Sequence, residues 1–169
     1  MQPEIITRDR IILAGLSFFG DPFSRADAWE EDNEIGRLWN RFFSFYGEHK
    51  DQLKYIRNEK AMFEVHIENT ATAARGMYEV FVGLELTKID AFPFHGLLKI
   101  LPAATYAVFT LAGNLIFTDW ARDVYQEWLP AAGYKRCYTY GFNLYDERFR
   151  GMDKLDESEL DVYIPVSKL

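Results

Sequence analysis

The chain has 169 residues, the length of one ordinary domain with a substantial core. Hydrophobic side chains make up 49% and aromatic ones 17%, which excludes a disordered chain. Its 19 basic and 26 acidic side chains give a net charge of −7. Nucleic-acid binding needs a positive surface, so we expect no direct nucleic-acid partner. An acidic domain instead favours cationic ligands at long range.

The cysteine and histidine content excludes further kinds of site. The single cysteine, Cys137, excludes an internal disulfide framework and a cysteine-rich zinc site, and it suits a reducing cytoplasm. His49, His66 and His95 lack the spacing of metal ligands. No apolar run approaches the ~20 residues of a membrane helix. We therefore expect a cytoplasmic protein with no membrane association, no metal and no cofactor.

The first half of the chain predicts a strand, a helix and two further strands. Residues 10–19 have the apolar character of a strand that ends at Gly20. Residues 34–46 place apolar side chains at helical spacing, and Gly47 is a typical helix end. Two more strands are predicted at 61–67 and 77–87.

The second half predicts the same order. A strand at 104–111 is followed by a helix at 118–129, which we expect to end at Pro130 and Gly133. Two more strands follow at 138–145 and 160–166.

The repeated order predicts a duplicated α+β fold. Two β-α-β-β halves, roughly 5–87 and 102–166, would form antiparallel sheets with their helices on one face. We expect one domain over 1–169, a pseudo-twofold axis, and a central cleft where the halves meet.

Strand alternation indicates which side chains face the cleft. One face of strand 77–87 is apolar, and the other carries Glu79, Phe81, Gly83 and Glu85. Strand 138–145 likewise opposes an apolar face to one with polar groups. These faces suit either a solvated surface or a cavity floor, and the helix tryptophans suit either the core or a cavity lip. A carboxylate among aromatic rings would attract an organic cation. The predicted ligand-binding residues are Trp39, Phe81, Glu85, Trp120, Asn143 and Tyr145.

An enzyme is the first alternative. Glu79 and Glu85, with Tyr145, are candidates for acid/base catalysis at the cleft. The sequence contains neither a Gly-x-Ser-x-Gly elbow nor a phosphate-binding loop, so we assign no catalytic residue.

Several stretches of the chain resemble the GyrI-like effector-binding domains of AraC-type and MerR-type transcription regulators. The similarity is strongest in the second half and covers nearly the whole chain. The matching stretches are 101–109, 125–134, 142–149 and 161–166, with a looser match at 14–16 and 78–85.

The resemblance implies a duplicated β-α-β-β fold with a central pocket for lipophilic, often cationic, compounds. Its usual pattern Phe-Glu-x-Tyr falls on residues 142–145, where Asn143 replaces the buried glutamate and Tyr145 is kept. Either Glu64, the counterpart of Asn143 in the first half, or Glu85 would have to substitute. This departure weakens the expectation of a cationic ligand, because an amide is neutral.

No helix-turn-helix segment precedes the matching region, so the resemblance predicts a stand-alone effector-binding protein. Its ligand would be a lipophilic small organic molecule, either cationic or neutral, and its role would be linked to transcription regulation or drug sensing. Some GyrI-like relatives hydrolyse reactive small molecules and one inhibits DNA gyrase. A hydrolase and a protein-binding inhibitor therefore remain alternatives, with a protein partner possible and the oligomeric state open.

Overall fold

A computed structural model describes residues 1–24, 33–90 and 92–169. Within these ranges α1 spans Glu34–His49 and the short α2 spans Thr70–Ala73. The second-half helix consists of three consecutive segments, Trp120–Asp123, Val124–Trp128 and Leu129–Ala131. The strands are β1 Glu4–Arg8, β2 Ile11–Gly20, β3 Met62–Glu68, β4 Tyr78–Leu86, β5 Leu97–Leu101, β6 Ala104–Ala112, β7 Tyr134–Arg136, β8 Tyr140–Tyr145 and β9 Glu159–Lys168.

The strands form an antiparallel sheet in the order β1-β6-β9-β8-β3-β4-β2-β5, with β7 paired to β9. The two halves meet at the central pair β3 and β8. The first strand of each half is exchanged, since β1 pairs with β6 and β5 pairs with β2. The predicted duplicated α+β fold is confirmed, but β1, β5 and β7 were not predicted. β5 lies in the segment expected to be only a linker.

The helix α1 forms because its apolar residues fall on one stripe. The Asn33 side chain caps its start by accepting a hydrogen bond from the Gly36 N–H at 2.8 Å. The prediction that Gly47 ends the helix was wrong. Gly47 is not among the positive-φ glycines, so the helix continues to His49. Its buried stripe, which packs on β2 and β4, is Ile35, Leu38, Phe42 and Phe45.

The second-half helix contains a π-helical turn at Val124–Trp128. It begins at Trp120, and Pro130 lies inside its last segment, so the prediction that Pro130 ends it was wrong. Proline has no N–H, and in an α-helix its ring clashes with the carbonyl four residues earlier. A wider turn before Pro130 accommodates both constraints, and Gly133 with φ 78° then reverses the chain.

Strand register places both helices on the same face of the sheet. Across the sheet, Glu64 of β3 is opposite Val82 and Asn143, and Asn143 is opposite Val162. Val82 lies in the cluster under α1, and Val162 lies in the cluster under the second-half helix. The polar pair Glu64 and Asn143 therefore lies at the centre of the sheet, between the two helix-covered regions.

The opposite face of the sheet carries a second apolar core. Phe81 is fully buried there beside Val65 and Phe142. Among the described residues, the buried members of this cluster come from β2 to β6, β8 and β9 and none from a helix. Because these side chains fill this face, the site lies on the helix-bearing face.

Two glycines test the packing of β2 against β4. Gly15 and Gly83 are cross-strand partners, and a Cβ on Gly83 would lie 2.3 Å from the Ala14 carbonyl oxygen. We expect Gly83→Ala to lower the free energy of unfolding by about 2–4 kcal/mol, measured by urea denaturation. Gly47→Ala is the matched control, since nothing lies within 4 Å of its Cβ position. In the helix interior it should be neutral or stabilise by up to about 1 kcal/mol. Equal effects of the two substitutions would contradict this packing.

Candidate ligand-binding site

A cavity of about 500 Å³ opens between α1 and the second-half helix. Its volume lies in the range of small-molecule sites. The floor consists of β3 and β8 side chains, namely Met62, Glu64, Asn143 and Tyr145. The walls come from α1, from the 3₁₀ turns Gly113–Phe117 and Met152–Glu157, and from the segments beside them. The main wall residues are Trp39, Phe43, Ile116, Phe117, Trp120 and Phe149.

Glu64 is the central feature of the floor. Its side chain is 1% exposed, and three donor groups surround its carboxylate. Trp39 Nε1 donates to Oε2 at 2.5 Å, and Asn143 Nδ2 donates to Oε1 at 3.3 Å. The His66 Nε2 atom lies 2.8 Å from Oε1. α1, β8 and β3 thus each contribute one partner to the Glu64 carboxylate.

A buried carboxylate is costly unless it is paired or hydrogen-bonded. Within the described ranges, His66 is the only basic side chain that forms a salt bridge with Glu64. The other two donors are neutral. Charge on Glu64 is therefore only partly compensated by the protein, which leaves a negative potential at the cavity floor.

The Tyr145 hydroxyl remains protonated beside this charge. Burial, and next the negative charge of Glu64, raise the pKa of Tyr145 well above its ordinary value. Its ring packs edge-on against Trp39, with 5.2 Å between the ring centroids, and against Phe149 at 4.9 Å. Tyr145 therefore presents a neutral, polarised ring surface to the cavity.

Aromatic rings form much of the cavity wall. Trp39 and Phe43 lie one helical turn apart on α1, with 5.6 Å between their centroids. Phe43 is 49% exposed and Phe117 is 40% exposed, so both rings remain accessible beside the cavity. Flat, rigid rings around one carboxylate suit a flat or bulky aromatic ligand with a positive charge.

The other charged groups at the cavity are already paired. Lys60 contacts Glu147, and Asp146 forms a hydrogen-bonded ion pair with Arg148 at 2.8 Å. Arg148 also binds Asp161 at 2.5 Å, which fixes the loop after β8 to β9. The hydrogen bonds from Arg148 lower the pKa of Asp146. Glu64 is thus the carboxylate with the least cationic compensation at the site.

The structure brings four of the six predicted binding residues to the cavity, namely Trp39, Trp120, Asn143 and Tyr145. It places Phe81 and Glu85 on the opposite face of the sheet, away from the cavity. Register explains the difference, because Asn143 aligns with Glu64 and Val82, whereas Phe81 aligns with Val65 and Phe142. The polar-looking faces of β4 and β8 are therefore not the same face of the sheet.

Glu79 and Glu85 do not form a catalytic group with Tyr145. Glu85 is held by Arg8 at 2.8 Å and by Arg57 at 2.9 Å. Glu79 is bound by Ser17 and Lys99, each at 2.7 Å. Both glutamates alternate with Val80 and Val82, which lie on the same face of the sheet as Glu64, so they project to the other side. Among the described residues, no cluster of three His, Cys, Asp or Glu side chains is placed to hold a metal.

Glu64 is the buried carboxylate of the cavity floor, and of the two substitutes considered for the missing glutamate it is the one at the site. Residues 63–66, Phe-Glu-Val-His, occupy in the first half the place that 142–145, Phe-Asn-Leu-Tyr, occupy in the second. Glu64 thus lies at the first-half position that the pseudo-twofold axis relates to Asn143. Phe43, Phe117 and Phe149 were not predicted as site residues; their helical and loop positions carried no signal beyond their being aromatic.

The sequence matches the family of integron-associated effector-binding proteins over residues 4–166, so the chain belongs to that family, which has a GyrI-like fold. The family membership, together with the cavity, makes this a small-molecule-binding protein. No curated protein matches the sequence significantly. In the described ranges, no helix combines the length and apolar character required to span a membrane.

Solved structures share the fold at low sequence identity. SAV2435, solved bound to tetraphenylphosphonium, has a TM-score of 0.70 and 15% identity, over 99% of this chain and 94% of that one. The EcmrR C-terminal domain has a TM-score of 0.66 and 14% identity, over 99% and 98%. An integron cassette protein from Vibrio cholerae has a TM-score of 0.61 and 15% identity, over 99% and 97%.

The bond between Trp39 and Glu64 links α1 to the sheet and can be measured by a double-mutant cycle. We expect Trp39→Phe to destabilise the protein because it leaves one buried carboxylate oxygen without its donor. In the Glu64→Gln background the same change should cost less. The coupling free energy, measured by urea unfolding, should be about 1–3 kcal/mol. Additive effects of the two substitutions would show that the bond does not form in solution.

Proposed function

We propose that this protein binds a lipophilic organic cation in the cavity between α1 and the second-half helix. Glu64 would supply the opposite charge, and Trp39, Trp120 and Tyr145 would supply the ring surfaces. The observation that carries the proposal is the burial of the Glu64 carboxylate at the floor of an aromatic cavity, where the described residues supply it with one cationisable partner, His66. A bound cation would complete the compensation of this charge.

The shape of the site supports a bulky ligand over a small inorganic ion. Around 500 Å³ of space is far more than a metal ion fills, and the nearest groups are mostly carbon. An ammonium or phosphonium centre substituted with apolar groups can place its charge near Glu64 while its substituents contact the rings. The net charge of −7 adds a favourable long-range field for a cation.

Family membership supports a sensing role for this binding. We propose that the protein recognises lipophilic compounds as effectors, in a process linked to transcription regulation or drug sensing. The likeness to SAV2435, whose structure contains tetraphenylphosphonium, makes that cation the natural first probe.

A pair of ions of matched shape and opposite charge tests the proposal. Tetraphenylphosphonium should quench or shift tryptophan fluorescence with saturable binding, because Trp39 and Trp120 line the cavity. Tetraphenylborate has nearly the same shape and the opposite charge, so Glu64 should repel it. We expect its affinity to be at least about tenfold weaker, which corresponds to about 1.4 kcal/mol. Equal affinities would mean that shape alone governs binding.

Removing the carboxylate tests the role of Glu64 directly. We expect Glu64→Gln to weaken tetraphenylphosphonium binding by about 2 kcal/mol or more, roughly 30-fold, measured by calorimetric titration. Glu127→Gln is the matched control, since it changes the net charge equally at an exposed position outside the cavity. The control should bind as the unmodified protein does. A similar loss in both variants would reduce the role of Glu64 to a general field effect.

A further inference from the structure

His66 contacts the buried carboxylate from outside the ligand cavity. Its Nε2 atom lies 2.8 Å from Glu64 Oε1, and its side chain is 28% exposed. The imidazole stacks on the ring of Tyr78, with 5.7 Å between centroids and 24° between planes. It lines an adjoining hollow of about 200 Å³, which shares Trp120 and Asn143 with the main cavity, and it is not among the residues that line the main cavity itself. The hydrogen-bond contact with Glu64 therefore links His66 to the floor of the main cavity.

Among the described residues, His66 is the histidine in contact with Glu64. A histidine imidazole ordinarily changes charge between about pH 5 and 8. Tyr78 and Tyr125 face it from β4 and the second-half helix, and burial raises the pKa of both. Tyr145, beyond Glu64, is raised in the same way. These three phenols stay neutral throughout that range.

Around the imidazole, the described charged groups besides Glu64 are Glu68 and Arg136, which line the same hollow, and Asp21, whose charge contributes to the raised pKa of Tyr78. Arg136 of β7 binds Glu68 at 2.8 Å and lies over the Tyr125 ring. In the main cavity, Lys60 pairs with Glu147, and Asp146 is held ionised by Arg148. Trp39 and Asn143 complete the surroundings of Glu64 with neutral donors.

We propose that the protonation state of His66 controls how strongly the cavity binds an organic cation. As imidazolium, His66 is a cationic partner for Glu64, and an organic cation entering the cavity must share a carboxylate that is already compensated. As neutral imidazole, it leaves the negative charge of Glu64 to the ligand. The proton on His66 and the cation in the cavity thus compete for one carboxylate from its two sides. The inference rests on the proposed function.

The two halves of the fold carry different side chains beside the polar pair Glu64 and Asn143. The positions beside the polar pair are His66 on β3 and Tyr145 on β8, related by the pseudo-twofold axis that exchanges Glu64 and Asn143. A tyrosine at either position would keep a constant charge near neutral pH. The histidine lies on the same strand as the glutamate, two residues away on the same face, which places a titrating group against the one strongly buried carboxylate of the floor.

Titration of tetraphenylphosphonium across pH tests the competition. Proton linkage predicts weaker cation binding as the imidazole becomes charged. We expect the Kd to rise about tenfold between roughly pH 8 and pH 5.5 for the unmodified protein. In His66→Gln, a neutral side chain that keeps a hydrogen-bonding group, the Kd should vary by less than about twofold. His49→Gln is the control, since His49 lies at the end of α1 outside the cavity, and it should keep the full pH dependence.

Calorimetry in buffers of different ionisation enthalpy gives a second measure. Cation binding near pH 6.5 should release a fraction of a proton, and that release should be absent in His66→Gln. A flat pH profile in the unmodified protein would overturn the inference while leaving cation binding intact. A pH dependence that persists in His66→Gln would assign the titration to Glu64 itself and would also overturn it. Failure of the unmodified protein to bind the cation at pH 8 would instead refute the proposed function.

Discussion

The structure is organised around the burial of one carboxylate, Glu64, at the centre of the sheet. Burying a charge costs several kcal/mol unless nearby groups compensate it. Three elements supply those groups: Trp39 from α1, Asn143 from β8, and His66 from the same strand. The protein compensates the charge of Glu64 only in part. Glu64, at the junction of the two halves, is therefore also the side chain best suited to attract a cation. Stability and binding therefore depend on the same side chain.

Duplication explains why this carboxylate lies in a cavity. Each half covers its own strands with a helix, and the two helix-covered regions leave the central pair β3 and β8 uncovered between them. The exchange of β1 and β5 between the halves extends the sheet at both ends and ties each half to the other. Arg8 at the end of β1 reaches Glu85 of the first half, which strengthens the same connection. The cavity floor is thus held from both sides of the pseudo-twofold axis.

The fold class was predictable from sequence because hydrophobic periodicity marks the helix and the long strands of each β-α-β-β half. Asn143 and Tyr145 were correctly predicted because alternation sorts side chains within a single strand, and Trp39 and Trp120 because helical spacing marks the apolar stripe of each helix. Alternation does not say how faces of distant strands align. The β3 to β8 register, formed by residues about 80 positions apart such as Glu64 and Asn143, places Phe81 and Glu85 on the opposite face. The short strands β1, β5 and β7 gain their stability from pairing and carry little local signal. The π turn before Pro130 arises from a backbone conflict that composition does not reveal.

A crystal structure of the complex with tetraphenylphosphonium would show whether Glu64 binds the cation. We expect the cation to occupy the cavity between α1 and the second-half helix. Its phosphorus should lie within about 6 Å of the Glu64 carboxylate, the range in which an opposite charge acts strongly, and its phenyl groups should contact Trp39 and Trp120. A cation bound elsewhere, for example on the exposed apolar side chains of β5, or bound in the cavity with its charge turned away from Glu64, would contradict a binding role for this carboxylate.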